Sequence, residues 1–200
     1  MSAIQLTHRF FSSLSRTRIC ISLLVLLGLG LGMFGNTNIA AADGIKTGRE
    51  TGLPIPRFVS LKSKAVNLRV GPGRRYAIAW HYRKHGLPVE VIQEFDQWRR
   101  IRDSEGTTGW VLHSLLSNRR TAIVAPWDIK REGAITRTRF VEAKHAASSS
   151  SDVAARLEAG LVVDVDACTG KWCQLEAQSE QFWLEKDKLW GVYPDEKVDG

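Results

Sequence analysis

Ala65-Val66-Asn67-Leu68-Arg69-Val70, closed by Gly71-Pro72-Gly73, is the stretch from which the rest of the chain can be read. Apolar residues at 66, 68 and 70 alternate with polar ones, the period of a half-buried strand, and Gly-Pro-Gly marks a turn. Short alternating runs continue downstream. Leu87-Pro88-Val89-Glu90-Val91-Ile92 reads as a strand, and Phe95-Asp96-Gln97 turns the chain into Trp98-Arg99-Arg100-Ile101-Arg102. Asp103-Ser104-Glu105-Gly106 turns it again before Thr108-Gly109-Trp110-Val111-Leu112. Strands recurring about every ten residues predict a small all-β barrel or sandwich.

The pattern returns about 74 residues later. Leu87, Val89, Trp98 and Ile101 match Leu161, Val163, Trp172 and Leu175 at a spacing of 74. Trp110 matches Trp183 at 73 and Leu115 matches Leu189 at 74, so the loops absorb one residue. A repeat of this length predicts two copies of one barrel, over 57–124 and 125–200, joined near Ala125-Pro126-Trp127. The second copy is read as starting at Ala134-Ile135-Thr136-Arg137-Thr138, without the Gly-Pro-Gly turn. It carries a longer, solvated loop from Ala143 to Ala155 that contains Ser148 to Ser151. Residues 43–56 form a leader, aperiodic and flexible to Gly52, then extended through Pro54 and Pro56.

The first 42 residues have a different character. A polar, basic start holds Arg9, Arg16 and Arg18 and no acid, and Ile19 to Phe34 is almost wholly apolar. Sixteen residues at about 1.5 Å each span about 24 Å, less than the roughly 30 Å of a bilayer core. Ala40-Ala41-Ala42 then offers small residues for a signal peptidase, with cleavage expected between Ala42 and Asp43. An uncleaved anchor is the alternative. Cys20 begins the apolar run, so it does not fit a lipoprotein signal. The expected location is therefore periplasmic or secreted, with no stable membrane span after cleavage. Removing residues 1–42 leaves 25 basic against 21 acidic residues, a net +4 that makes a nucleic-acid partner unattractive. In the mature chain Cys168 and Cys173 flank a hairpin turn, Thr169-Gly170-Lys171, and face each other across it. In an oxidising compartment they are expected to form a disulfide, a free or redox-active pair being the alternative.

Asn67-Leu68-Arg69-Val70-Gly71-Pro72-Gly73 resembles the opening of bacterial SH3-like domains, roughly N-[LV]-R-x-G-P-G. Gly109-Trp110-Val111 and Leu115-Leu116 fit the same pattern. From Gly52 to about residue 195 the chain is similar to exported bacterial proteins with two such domains. They are entered through a G-L-P-x-P-R-F segment and close on one like Leu189-Trp190-Gly191-Val192-Tyr193-Pro194. The resemblance implies two tandem SH3-like barrels, each five-stranded and partly open, that bind peptide, peptidoglycan or another cell-envelope component. It implies no catalytic chemistry and no cofactor. The loop after Gly71-Pro72-Gly73 borders the ligand groove in that family, which points to Arg69, Tyr76, Trp80 and Trp98 as ligand contacts.

Seven tryptophans invite a stacking role, yet core packing competes for each of them. Trp110 and Trp183, in strand patterns, are expected to fill the barrels. His81 and His85 lie about 13 Å apart on a strand, too far to share a metal ion. Basic pairs such as Arg74-Arg75, Arg99-Arg100 and Arg119-Arg120 read as solvated faces. Residues 57–124 hold thirteen basic and five acidic residues, so the first barrel is strongly positive and the second negative. An enzyme would need a Cys-His or Ser-His-Asp site. The paired cysteines, the absence of a G-x-S-x-G elbow and the lack of room for a third domain argue against one. The alternatives to a binding module are a structural envelope protein without a free ligand and a cell-wall hydrolase accessory.

Overall fold

Val59, Leu61, Val66, Leu68, Val89, Val91, Ile101 and Val111 are all buried and form one apolar core. The strands that deliver them are β1 (Arg57–Leu61), β2 (Val66–Arg69), β3 (Ile78–Tyr82), β4 (Pro88–Phe95), β5 (Trp98–Arg102), β6 (Thr108–Leu112) and β7 (Leu116–Ser117). They pair antiparallel in the order β3-β2-β6-β5-β4-β1-β7. The structure, a computed structural model, describes residues 46–128, 130–132, 135–137 and 139–199. The expected export segment, residues 1–42, and the Ala42–Asp43 junction lie outside the described residues. Among those residues no helix is long and apolar enough to cross a membrane.

The second core gathers Val124, Ala143, Leu157, Val163, Leu175, Phe182, Leu184 and Leu189. Its strands start with β8 (Thr121–Val124). A separate two-stranded ribbon, β9 (Lys130–Glu132) and β10 (Ile135–Arg137), intervenes. The barrel resumes with β11 (Phe140–Lys144), β12 (Val153–Glu158), β13 (Val162–Thr169), β14 (Trp172–Ala177), β15 (Glu180–Glu185) and β16 (Leu189–Trp190). The order β12-β11-β15-β14-β13-β8-β16 reproduces that of the first sheet strand for strand. The chain is thus two copies of one all-β fold, with both cores and both sheets contained within residues 46–199.

Several details differ from the sequence reading. Thr121–Val124, expected at the end of the first domain, opens the second, so the boundary falls after Ser117 rather than at 124. Ile135–Arg137 belongs to the ribbon, and the second counterpart of β2 is Phe140–Lys144. The Ser-rich loop after β11 therefore stands where Gly71-Pro72-Gly73 stands in barrel one. Leu116, not Leu115, corresponds to Leu189, since each pairs with the barrel's first strand.

Trp110 and Trp183 do not fill the barrels. On β6 the inward residues are Gly109 and Val111, and on β15 they are Phe182 and Leu184. Close packing sets this choice: a Cβ at Gly109 would sit 2.6 Å from Leu68 Cγ, so only glycine fits there. Trp110 consequently lies half-buried on the outer face, opposite Arg69, and Trp183 lies opposite Lys144 in the same way.

The leader is pinned instead of loose. Its strand-like pairing of Thr47 with Pro54 makes a tight turn that closes over Glu94. The Glu94 side chain is fully buried and accepts the Glu50 and Thr51 amides at 3.0 Å each. It also accepts the Thr51 hydroxyl at 2.7 Å and Arg57 at 2.8 Å. Burial alone would raise its pKa, but these donors together hold it down at about 2. Bends at Ile55 and Pro56 interrupt the continuous extended path read from the prolines.

The two barrels are fastened directly. Phe58 on β1 meets Trp190 edge-on, with centroids 5.3 Å apart, and Tyr193 at 4.7 Å. Tyr193 Oη donates to Glu90 at 2.9 Å, and Arg102 Nε donates to the same carboxylate at 2.8 Å. Thr121 Oγ1 donates to the Gly86 carbonyl at 2.7 Å. Some basic residues read as solvated are engaged: Arg99 is buried beside Glu94, Arg119 pairs with Asp164, and Arg120 pairs with Glu196. Cys168 and Cys173 form the expected disulfide across the β13–β14 hairpin, with Cα atoms 4.1 Å apart.

Candidate functional site

The four residues read as ligand contacts do not converge. Arg69 and Tyr76 brace the loop after β2: the Arg69 guanidinium donates to the Tyr76 carbonyl at 2.7 Å. The Tyr76 ring lies flat on Gly71, where a Cβ would stand only 2.6 Å from the ring, and the Arg75 guanidinium covers that ring at 5.4 Å. Glycine at 71 is required for this close approach. Trp98 is 8% exposed and offers little ring surface to a ligand. Trp80, placed by sequence in a loop, is on β3 and is 56% exposed.

Trp80 alone of the four lines a groove. The register shift between Leu68 and Arg69 puts Trp80 opposite Leu68 and Ile78 opposite Arg69, so the two apolar side chains leave β3 on opposite faces. On the Trp80 side a cavity of about 360 Å³ is bounded by Tyr82, Leu87, Pro88, Asp103 and Ser104. Tyr82 is buried opposite Val66, and its hydroxyl donates to Asp103 Oδ2 at 2.8 Å. Burial first, and Asp103 second, push the Tyr82 pKa far above its ordinary value, so the hydroxyl stays protonated. Asp103 Oδ1 accepts the Glu105 and Thr107 amides at 3.0 and 2.8 Å. These bonds fix the 103–107 turn as one lip of the groove.

The floor reaches into the second barrel. Ile123 of β8 lines the cavity, and an adjoining crevice of about 510 Å³ shares Leu87, Ser104, Glu105 and Ile123 with it. That crevice ends on Pro126, Gly160 and Trp127, which is 54% exposed. An exposed indole thus stands in each half of one groove along the junction of the barrels. Tyr82, Asp103 and Trp127 were missed by sequence. Inward register opposite Val66 is the signal that would have identified Tyr82. The His81 Nδ1 lies 2.7 Å from Asn67 Oδ1.

Small antiparallel barrels with an aromatic groove and a polar lip have the make-up of a binding domain. The bacterial SH3 domain family matches residues 62–118 and 140–191, together more than half of the chain, and the chain belongs to that family, with two copies of the domain. No curated protein matches the sequence. Solved structures that match include NlpC2 and NlpC1 from Trichomonas vaginalis, each 10% identical with a TM-score of 0.30. The matches cover 72% and 77% of this chain, which spans 51% of each of those chains. At that TM-score the likeness bears on neither mechanism nor ligand.

Proposed function

We propose that this protein is a non-catalytic binding module of the bacterial cell envelope, exported and matured at Asp43, that holds a peptide or peptidoglycan fragment in the Trp80–Trp127 groove. The observation that carries this reading is the exposed Trp80 indole over a walled cavity whose polar lip is fixed by Asp103. An aromatic face with a fixed carboxylate beside it suits a ligand with apolar ring or proline faces and amide donors. The shared floor makes the pair of barrels, rather than barrel one alone, the binding unit. A non-catalytic role is supported by the bridging of Cys168 with Cys173 and by the locked proton of Tyr82. Membership of a bacterial SH3 domain family and the disulfide support an envelope location.

The test is co-sedimentation of the Asp43–Gly200 chain with purified sacculi, for the parent protein and Trp80→Ala. Trp80→Ala should lower binding by about tenfold, as removal of a stacking aromatic does, while the melting temperature stays within a few degrees. Equal binding by parent and variant would overturn the groove assignment. No sacculus binding by the parent would favour a structural envelope role without a free ligand.

A further inference from the structure

The face of barrel one opposite the groove is apolar and basic at once. Ile78 is 40% exposed and Phe95 55%. Strand pairing sets Ile78 beside Arg69, Arg69 beside Trp110, and Trp110 beside Arg100, so these side chains share the outer surface. The Phe95 ring meets Trp110 edge-on, with centroids 6.5 Å apart, and extends the row. Val70 carries β2 into the loop that bears the exposed Arg74 and Arg75. From Arg69 to Arg75 there are three arginines and no acid. Asp96 stands on the turn next to Phe95.

Barrel two, built on the same strand plan, keeps Val153 beside Lys144 and Lys144 beside Trp183 in the matching row but differs at its loop and at its hairpin end. Its equivalent loop is His145-Ala146-Ala147-Ser148-Ser149-Ser150-Ser151-Asp152, and Thr169 occupies the position of Phe95 in the hairpin. The difference is therefore a property of one copy and not of the fold. A soluble polyanion would need only the cations, whereas exposed aliphatic and aromatic side chains between arginines fit a surface that is anionic outside and hydrocarbon beneath. We propose that the outer face of barrel one docks on an anionic phospholipid surface, with Ile78 and Phe95 entering the interfacial layer. Arg74, Arg75 and Arg100 meet the headgroup phosphates. The groove stays open to its ligand, because Trp80 leaves β3 on the other face.

The experiment is sedimentation of the Asp43–Gly200 chain, which contains both complete cores, with phosphatidylcholine vesicles with and without phosphatidylglycerol. The parent should partition onto phosphatidylglycerol vesicles and not onto phosphatidylcholine alone. Arg74→Ala with Arg75→Ala should weaken binding by about 25-fold, at about fivefold for each cation near the surface. Ile78→Ser with Phe95→Ser should weaken it several-fold at unchanged charge. Should that pair fail to fold, Phe95→Ser alone decides the same point. No binding of the parent, or equal partition onto both vesicle types, overturns the proposal. So does full retention of binding by the serine variants, which would assign the cations to an anionic polymer instead.

Discussion

Glu94→Gln isolates the attachment of the leader to barrel one. The Glu94 carboxylate is wholly buried and is held by four donors within 3.0 Å, two of them leader amides. Its pKa falls from 4.5 to about 2 because those donors outweigh the opposing effect of burial. A depression of that size corresponds to about 3 kcal/mol of stability linked to the charged form. Because the folded-state value is the lower one, this stability is complete above about pH 4.5 and disappears as the pH falls through about 2. Denaturant unfolding of parent and variant, followed by tryptophan fluorescence across that range, should show a difference of about 3 kcal/mol at neutral pH. The difference should shrink below pH 4.5 as the parent becomes a neutral acid comparable to the amide. Glu196, whose pKa is also lowered, is present in both proteins and cancels from the comparison. Trypsin should also cut after Arg49 faster in the variant, since the turn that carries it loses its anchor. A difference that stays flat with pH, or one below about 1 kcal/mol, would refute the account of Glu94 as a charged clamp.

Two further outcomes test the fasteners of the fold. Cys168→Ala with Cys173→Ala should lower stability by about 2 kcal/mol, the modest end for so short a loop, and the parent's thiols should resist alkylation unless reduced. Phe58→Ala, which empties the seat between Trp190 and Tyr193, should destabilise by about 3 kcal/mol and split unfolding into two calorimetric transitions where the parent shows one.

Strand existence was legible because alternation and turn residues coincide in stretches such as Val66–Gly73. The facing of Trp110 was not. In Thr108-Gly109-Trp110-Val111-Leu112 both alternating series contain apolar residues, so period alone cannot choose between them, and the bulkier series looks like the core. Close contact of Gly109 with Leu68 makes the choice, and it is visible only across strands. Glu94 was hidden for a related reason. The register shift between Val91 and Gln93 changes which residues of β4 face inward, carrying a glutamate to the core side. The boundary at Thr121 was hidden because Ser117 to Arg120 contains no glycine or proline to mark a turn. At the groove, Trp80 was found through family resemblance, while Trp127 was read only as part of a joint. Its function-bearing position follows from where the second barrel packs. The Cys168–Cys173 pair was the most local feature and the most readable, since a tight hairpin turn determines it without any tertiary information.

The two barrels keep the same mechanical points and fill them with different chemistry. Glu94 and Arg99 face each other across the β4–β5 hairpin, and Cys168 and Cys173 face each other at the matching place in β13–β14. Arg57 lies opposite Val91, and Arg120 bonds Val165 at the equivalent position of the second barrel. The His113 amide donates to the Gln97 carbonyl as the Lys186 amide does to that of Lys171. In barrel one the hairpin supplies the carboxylate, and the leader folds over it. In barrel two that position is a cysteine, so the acid must come from elsewhere. It comes from the C-terminal segment, where Glu196 takes Arg120 at 2.5 and 3.0 Å while Lys186 donates to the Pro194 and Glu196 carbonyls. A partly buried arginine at this point takes a carboxylate in either copy, Arg57 from Glu94 and Arg120 from Glu196, because the charge there is incompletely solvated. With a disulfide in place of the local acid, the tail satisfies Arg120. The same tail presents Tyr193 to Phe58 and Glu90 of barrel one, so the segment that satisfies Arg120 also joins the barrels.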